Sequence, residues 1–263
     1  MINESGETNV VTIKSLSKTY TRQSLPNIEA IHDVTLSISR SEIVCLLGRS
    51  GCGKSTLLNI IAGLLEPTFG TVLVFDAVPR AARKHISYIQ QNPQLLPYRS
   101  VIANAALSLE LKGDLDTKSL ENVHELLHRL RLDEFSSSYP DELSGGMRQR
   151  VALARALAVQ APLILCDEPL ASIDFDSRLE IEDFFWREIK VGGRASIFIT
   201  HNIDSAVALA DRIVVLTPRP GSVAAVINVD DELRQEPPLG RREMTSFPLC
   251  FSEVWRSLRA AES

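Results

Sequence analysis

The sequence predicts an α/β fold in which helices cover a central parallel β-sheet. Apolar runs with the length of buried strands lie at 163–166, 195–199 and 212–216. Helical patterns alternate with these runs, at 146–159, 177–190 and 204–211. A further run, 43–47, leads directly into a glycine-rich loop and then a helical pattern. Strands that alternate with helices form parallel sheets, because each helix returns the chain to the same end of the sheet.

The segments around this core predict an N-terminal extension, an insertion and a tail. Residues 10–13 and 31–38 alternate apolar and polar side chains, which predicts half-buried strands. The interval 97–145 is mainly helical and polar on one face, which predicts an inserted helical subdomain. We therefore expect one domain over residues 1–230. The remaining 231–263 predict a linker and a short terminal helix.

Composition argues against several classes of protein. The 263 residues carry a formal net charge of −5, and the basic residues are scattered, so we expect no nucleic-acid partner. The N-terminus has no apolar signal core, and no run approaches the roughly 18 apolar residues of a membrane span. We therefore expect a soluble or peripheral protein in the cytoplasm. The four cysteines are far apart in the sequence, which favours reduced thiols over a disulfide framework or a zinc site.

The glycine-rich loop carries the strongest chemical signal. Gly48, Gly53, Lys54 and Ser55 satisfy the phosphate-binding pattern G-x-x-x-x-G-K-S/T, between a buried strand and a helix. Glycines let backbone N–H groups surround phosphate oxygens, and the helix N-terminus adds positive charge. The alternative is a glycine-rich turn that only caps the helix. The residues expected to contact ATP in this loop are Gly48, Arg49, Ser50, Gly51, Cys52, Gly53, Lys54, Ser55 and Thr56.

Cys52 is expected to be reactive. It lies beside the Lys54 ammonium and a helix N-terminus, which favour thiolate over thiol. Cys45 and Cys166 lie in apolar strand runs and are expected to be inert. Cys250 lies in the tail and is expected to react without consequence. A maleimide should therefore inactivate the protein at Cys52, and MgATP should protect it.

A pair of acids follows another buried strand. Residues 163–166 lead into Asp167 and Glu168, at the end of a parallel strand where α/β sheets bind ligands. Asp167 would hold Mg²⁺ together with the Ser55 hydroxyl, and Glu168 would orient or deprotonate an attacking water. The two acids alone are a weak signal, but together with the phosphate loop they predict nucleotide hydrolysis.

The octet Leu-Ser-Gly-Gly-Met-Arg-Gln-Arg at 143–150 resembles the signature motif of ABC-type ATPases, the ATP-binding subunits of transporters. It is a second glycine-rich helix N-terminus that can bind a phosphate group. In that family the signature of one subunit completes the ATP site of the other in a head-to-tail dimer. The resemblance therefore implies that Ser144, Gly145 and Gly146 contact ATP bound to a second copy.

The other elements of the family follow in order between about residues 10 and 229. Tyr20 matches the aromatic residue that stacks on adenine, and His201 matches the histidine that contacts the γ-phosphate. Gln90 matches the glutamine that touches Mg²⁺ and senses the membrane domain; we chose it over Gln91 by its offset from the preceding apolar residues. Asp174 closes the stretch at 171–174, which looks like the loop that crosses the dimer interface.

Two segments resemble importers of nitrate, sulfonates, taurine or bicarbonate within the family. They are 95–98 after the glutamine and 218–221 after the last core strand. Three positions depart from that pattern: Tyr98 replaces tryptophan, Arg49 replaces proline and Asn202 replaces aspartate. These departures leave the ATPase interpretation intact but weaken the inference about the solute. An exporter subunit is the alternative within the family.

The resemblance implies a specific assembly. We expect an ABC ATPase fold: a P-loop NTPase core with a parallel sheet, an N-terminal antiparallel β-subdomain and the inserted helical subdomain. Its substrate would be ATP with Mg²⁺ as cofactor. Its partners would be a second copy of itself, transmembrane permease subunits and, indirectly, an extracellular or periplasmic solute-binding protein. It would lie peripherally on the cytoplasmic face of the membrane.

One motif competes with this interpretation. Residues 124–128 read H-E-x-x-H, the helix motif of zinc proteases. A zinc site needs a third ligand and a dry cleft. Both histidines lie beside the apolar stripe of the predicted helix, and no third ligand is evident nearby. A solvated flank of a subdomain helix is the better interpretation.

Overall fold

The computed structural model describes residues 9–23 and 25–262. Within them the strands are β1 (Asn9–Tyr20), β2 (Ile28–Ser39), β3 (Ile43–Leu47), β4 (Phe69–Val74), β5 (Ile86–Ile89), β6 (Leu163–Asp167), β7 (Ala195–Ile199), β8 (Arg212–Leu216) and β9 (Val223–Asn228). The α-helices are α1 (Lys54–Ile61), α2 (Pro79–Ala82), α3 (Val101–Lys112), α4 (Thr117–Arg129), α5 (Gly145–Ala158), α6 (Phe175–Val191), α7 (Ile203–Leu209), α8 (Asp231–Gln235), α9 (Pro238–Glu243) and α10 (Phe247–Ala261).

The core is a six-stranded sheet in the order β5-β6-β7-β3-β8-β9. All neighbouring strands are parallel except the edge strand β9, which pairs antiparallel with β8. The predicted parallel core is therefore confirmed. Because β3 is central, the loop that follows it opens at the same edge as the ends of β6 and β7, where ligands bind in such sheets.

The N-terminal strands form a separate antiparallel sheet in the order β2-β1-β4, as predicted for this part of the chain. Strand β4 comes from the segment after α1, so the small sheet and the core are joined on both sides of the phosphate loop. This arrangement sets the end of β1 and the start of β2 beside that loop.

Two hydrophobic cores cover the faces of the main sheet. Side chains of a strand point alternately to opposite faces. In β3, Val44 and Leu46 therefore pack with α1, whereas Ile43, Cys45 and Leu47 belong to the core formed with α5, α6, α7 and α10. All five are buried, so β3 has no solvated face and its position is fixed from both sides.

The helical segment within 97–145 contains α3 and α4, which pack against α5 and against each other. Val101, Ala105, Val123 and Leu127 are buried in the core that they share with α5. Helix α4 begins with a capping box in which the Asp116 carboxylate accepts the Ser119 N–H at 2.7 Å. The insertion therefore packs on α5, the helix that begins within the signature motif.

The expected linker at the C-terminus is instead a set of helices that pack on the core. Arg241 of α9 is fully buried and donates to the backbone oxygens of Ala210, Val207 and Glu236. Arg242 forms ion pairs with Glu182 of α6 and with an acid of α7. Sequence patterns missed these helices because α8 and α9 are too short to show a periodicity. No helix within 9–23 and 25–262 is long and apolar enough to cross a membrane.

Candidate functional site

The conformation of the phosphate loop is fixed by close packing of its backbone against strand β2. Between β3 and α1 the chain turns through Gly51 and Gly53, which have φ values of 78° and 101°. A Cβ added at Gly53 would lie 2.5 Å from the Ala30 carbonyl oxygen, so only glycine fits against β2 here. The loop is therefore fixed to the small sheet, with the N-terminus of α1 at its centre.

The Lys54 side chain folds back onto this loop. Its Nζ donates to the Gly48 oxygen at 2.7 Å and the Arg49 oxygen at 3.0 Å, and it lies 3.7 Å from the Cys52 sulfur. Lys54 is only 7% exposed. The ammonium thus already lies inside the ring of backbone atoms that would surround a phosphate, and it can exchange these carbonyls for phosphate oxygens.

A cavity of about 370 Å³ opens over the loop, which we call the loop cavity. It extends from Tyr20 at the end of β1 to Glu168 after β6. Its lining residues are Tyr20, Ile28, Ala30, Ser50, Gly51, Gly53, Lys54, Ser55, Thr56, Gln91, Asp167, Glu168 and Arg219. The structure thus brings together residues from β1, β2, α1, β6 and the β8–β9 turn, which are distant in sequence.

Asp167 lies at the floor of the loop cavity. It ends β6 and is buried, and burial raises the pKa of its carboxyl. A hydrogen bond from Ser55 and the charge of Lys54 oppose that rise, while the charge of Glu168 adds to it. A buried carboxylate beside a hydroxyl is a pair of hard oxygen donors suited to a divalent cation.

Glu168 is held in an uncommon backbone conformation. Its φ is 48°, and its N–H donates to the Ile199 oxygen at 3.1 Å. The carboxylate atom Oε2 lies 3.3 Å from His201 Nδ1 and 3.5 Å from Gln91 Nε2. The His201 side chain is 69% exposed, so this cluster faces open space rather than the protein core. Three polar groups therefore converge where a water molecule can reach Glu168.

The assignment of Gln90 is corrected by this geometry. Gln91, and not Gln90, lines the loop cavity and contacts Glu168. Gln90 was expected to face the site if the alternation of β5 continued beyond Ile89. The strand ends at Ile89 and the chain bends at Gln91, so alternation no longer predicts which side chain faces the cavity.

Tyr20 lies at the other end of the loop cavity. Its hydroxyl is 3.2 Å from Thr56 Oγ1, and the Lys18 ammonium is 5.5 Å from its ring centroid. The ring is partly exposed, so its face remains available to a planar ligand. This position is consistent with an adenine-stacking role, which stays a prediction.

The signature motif lies away from the loop cavity of its own chain. Ser144 caps α5 by accepting the Met147 N–H at 3.2 Å. A Cβ on Gly146 would come 3.2 Å from the Ser172 oxygen, so the motif packs on the loop at 171–174. Asp174 caps α6 through the Ser177 N–H, and this bond lowers the pKa of its carboxyl. Among the described residues, Ser144, Gly145, Gly146 and Asp174 do not line the loop cavity.

Two residues of the phosphate loop turn away from the cavity. Arg49 Nε lies 3.4 Å from Glu262 at the end of α10 and lines a neighbouring cavity of about 200 Å³ with His201 and Trp255. The side chain of Cys52 is 1% exposed and packs in the core beside α1. Neither side chain lines the loop cavity, so any contact of Arg49 or Cys52 with ATP would come from their backbone groups and stays a prediction. The Cys52 thiol, expected to be reactive, is buried. Cys250, which was expected to react without consequence, is also buried.

The structure adds one residue to the loop cavity that the sequence analysis did not assign. Arg219, from the turn between β8 and β9, lines the cavity and donates from Nε to the Gly51 oxygen at 3.2 Å. In the sequence, the segment 218–221 only resembles an importer group. Its position beside the loop follows from the pairing of β8 with β3, which a linear pattern does not show.

The H-E-x-x-H stretch lies in α4, and none of its residues lines the loop cavity. Helix α4 buries Val123, Leu126 and Leu127, whereas His124 and His128 face solvent. His128 Nδ1 lies 3.1 Å from the Asp133 carboxylate. An exposed histidine–aspartate pair at the end of a helix is a common surface feature and gives no sign of catalysis.

Comparisons with known proteins identify relatives of this chain. The family described as "ABC transporter" matches residues 31–171. A taurine import ATP-binding protein, TauB of Burkholderia thailandensis, is 36% identical over 88% of both chains. An aliphatic sulfonates import ATP-binding protein, SsuB 1 of Xanthomonas axonopodis pv. citri, is 39% identical over 74% of this chain and 78% of its own.

A solved structure shows the same fold. It is the dimeric, post-hydrolysis structure of the ATP-binding cassette MJ0796 bound to ADP and Pi. It matches with a TM-score of 0.77 at 31% identity and covers 84% of this chain and 99% of its own. Taken with the phosphate loop, the acids after β6 and the signature helix, these matches show that the chain belongs to the ABC transporter family as one of its ATPase subunits.

Proposed function

We propose that this chain binds MgATP in the loop cavity and couples its hydrolysis to the import of a small sulfonate-like anion through separate permease subunits. The observation that carries the proposal is the cluster at Glu168. Its Oε2 atom lies within 3.3 Å of His201 and 3.5 Å of Gln91, at the rim of a cavity whose floor holds Lys54 and Asp167. This is an arrangement for phosphoryl transfer to water.

The phosphate loop would bind the polyphosphate. Backbone N–H groups at the start of α1 and the Lys54 ammonium would stabilise the negative charge on the β- and γ-phosphates. Lys54 already occupies the centre of the loop, so binding replaces its bonds to Gly48 and Arg49 by bonds to the ligand. Tyr20 would stack on the adenine ring.

Ser55, Asp167 and Gln91 would hold Mg²⁺, which supplies charge neutralisation and alignment of the phosphates when bound. Burial raises the pKa of Asp167, because its negative charge is incompletely compensated by Ser55 and Lys54. A divalent cation at this position would offset that cost, and hydroxyl, carboxylate and amide oxygens are ligands that Mg²⁺ accepts. The residues present therefore fit the ion.

Glu168 would orient and activate the attacking water. His201 is within hydrogen-bond reach of the Glu168 carboxylate and would contact the γ-phosphate, so the two side chains together set the position of the water. Gln91 would link the same carboxylate to the segment that follows β5. A change in that segment would then alter the geometry at Glu168.

Two copies would be needed for a complete site. The signature residues Ser144, Gly145 and Gly146 form a helix N-terminus that does not line the loop cavity of its own chain. Packed head to tail, the N-terminus of α5 in a second copy would cover the phosphates, with the loop ending at Asp174 at the interface. The similar MJ0796 cassette is a dimer when bound to ADP and Pi, which supports this arrangement.

The transport role rests on the relatives. TauB and SsuB 1 are named as import ATP-binding proteins for taurine and for aliphatic sulfonates, which favours import over export. The chain would bind permease subunits on the cytoplasmic face of the membrane, and a solute-binding protein would act on the other side. Recognition of the anion would lie in those partner chains.

The test replaces Glu168 by glutamine, which keeps its shape and removes its charge. In Glu168→Gln we expect phosphate release to fall by at least about 100-fold, as when a general base is lost, with the Kd for MgATP within about threefold of wild type. The ATP-bound variant should elute as a dimer on a sizing column. Glu232→Gln, an exposed change in α8, is the control and should behave as wild type. Unimpaired hydrolysis in Glu168→Gln would contradict the proposal.

A further inference from the structure

The turn between β8 and β9 is built into the nucleotide site. Gly221 donates its N–H to the Ala30 oxygen at 3.0 Å, and its own oxygen accepts the His32 N–H at 3.0 Å. The Thr217 N–H donates to the Ser222 oxygen at 2.9 Å and closes the turn. Residues 217–222 are therefore fixed to β2, the strand that also packs against Gly53 of the phosphate loop.

This turn also touches the phosphate loop directly. A Cβ on Gly221 would lie 2.0 Å from the Cys52 oxygen, so the two backbones pack without a side chain between them. Arg219 Nε donates to the Gly51 oxygen at 3.2 Å, and its Nη2 atom is 3.0 Å from the position of a Cβ on Gly51. The guanidinium thus lies against Gly51 of the loop and also lines the loop cavity.

The charged residues that line the loop cavity indicate what the Arg219 guanidinium could bind. The lining contains two cations, Lys54 and Arg219, and two carboxylates, Asp167 and Glu168. A nucleoside triphosphate adds several negative charges to this balance. Lys54 is buried in the loop, whereas Arg219 is exposed at the mouth of the cavity. Arg219 is therefore the solvent-facing cation that a nucleotide meets when it enters.

We propose that Arg219 is a nucleotide-binding residue whose guanidinium contacts the polyphosphate of ATP. A guanidinium is always charged and has five N–H donors, in a planar fork that matches phosphate oxygens. The bond from Nε to Gly51 fixes its orientation, and within the described residues the terminal nitrogens are left to the ligand. The inference rests on the proposed function, because it assigns a further residue to the same site.

The experiment compares Arg219→Ala, Arg219→Lys and the control Arg256→Ala. Arg256 is an exposed arginine of α10 whose Nε also donates to a backbone oxygen, that of Ser252, at 3.3 Å. For each variant, we would measure the Kd for MgATP by displacement of a fluorescent ATP analogue. We would also measure the KM and kcat of phosphate release, and the melting temperature of each variant without nucleotide.

We expect Arg219→Ala to raise the Kd and KM for MgATP about tenfold, as for loss of a charged hydrogen bond, with kcat within about twofold. Arg219→Lys should retain part of the affinity, with a Kd raised about threefold, because it keeps the charge but not the fork. The loss in Arg219→Ala should shrink as salt is added, since exposed charges are screened. Arg256→Ala should bind as wild type.

Unchanged affinity in Arg219→Ala, with wild-type binding present, would refute this inference alone. An equal loss of MgATP affinity in Arg219→Ala and Arg219→Lys at every salt concentration would also refute it. So would a fall in the melting temperature of Arg219→Ala that accompanies its loss of affinity. In either case a structural role of Arg219 in holding the turn at 217–222 would explain the effect. A wild-type chain without affinity for MgATP would refute the proposed function and this inference together.

Discussion

The pair Gln90 and Gln91 allows a test in which neighbouring, chemically identical side chains should differ. Only Gln91 lines the loop cavity, with its Nε2 at 3.5 Å from Glu168 Oε2. Gln90 is exposed and lies outside that cavity. We therefore expect Gln91→Ala to impair ATP hydrolysis and Gln90→Ala, the matched control, to change it less than about twofold, as for most surface changes.

The size of the effect follows from this contact. A hydrogen bond to a charged group contributes roughly 1.5–3 kcal/mol when short and shielded from water. The Gln91 contact is long and solvated, so we take about 1.4 kcal/mol, which corresponds to about a tenfold loss of kcat. Gln91→Glu should be worse than alanine, because it sets a second carboxylate beside Glu168.

Steady-state phosphate release at saturating MgATP gives kcat for the four proteins, and thermal melting checks that each is folded. If Gln90→Ala is impaired and Gln91→Ala is not, the assignment from the structure is wrong and the assignment from the sequence pattern is right. If Gln91→Glu is as active as wild type, Gln91 does not act on the Glu168 carboxylate.

Two further predictions follow from burial. Asp167→Asn should abolish Mg²⁺-dependent turnover yet raise the melting temperature of the nucleotide-free chain at pH 7. Burial raises the pKa of Asp167, so the ionised carboxylate lowers the free energy of unfolding. This destabilisation is absent at a pH below the ordinary pKa of an aspartate, and it develops as the pH rises through the raised pKa of the folded chain. A variant that melts lower at pH 7, or higher by the same margin at pH 3, would contradict this. Cys52 is buried, so its labelling by a maleimide should require opening of the phosphate loop. Cys52 should still be labelled before the strand residues Cys45 and Cys166. MgATP at ten times its Kd should slow the labelling of Cys52 about tenfold. Peptide mapping that finds a strand cysteine labelled first would refute it.

Much of the fold and the chemistry could be read from the sequence. The run Ile43–Leu47 is apolar at every position because both faces of a central parallel strand are covered, and such a run predicts that strand directly. The phosphate loop and the acids at 167 and 168 are contiguous motifs, whose function depends on local spacing. The signature at 143–150 indicated the family for the same reason.

Contiguous motifs did not predict the roles of residues that depend on contacts between distant segments. Gln91 was missed because the end of β5, rather than its alternation, decides which glutamine faces Glu168. Arg49 and Cys52 lie within the motif, yet the packing of α10 and of the core beside α1 turns their side chains away from the cavity.

The sequence by itself determined the class of chemistry, since phosphate binding and acid placement are encoded in short motifs that fold locally around glycines and strand ends. Only the tertiary structure decided which side chains complete the site. Arg219 reaches the phosphate loop because β8 pairs with β3 and the following turn packs against β2. The reason is physical: a side chain's neighbours across a sheet are set by strand order and register, and these depend on the packing of the whole chain.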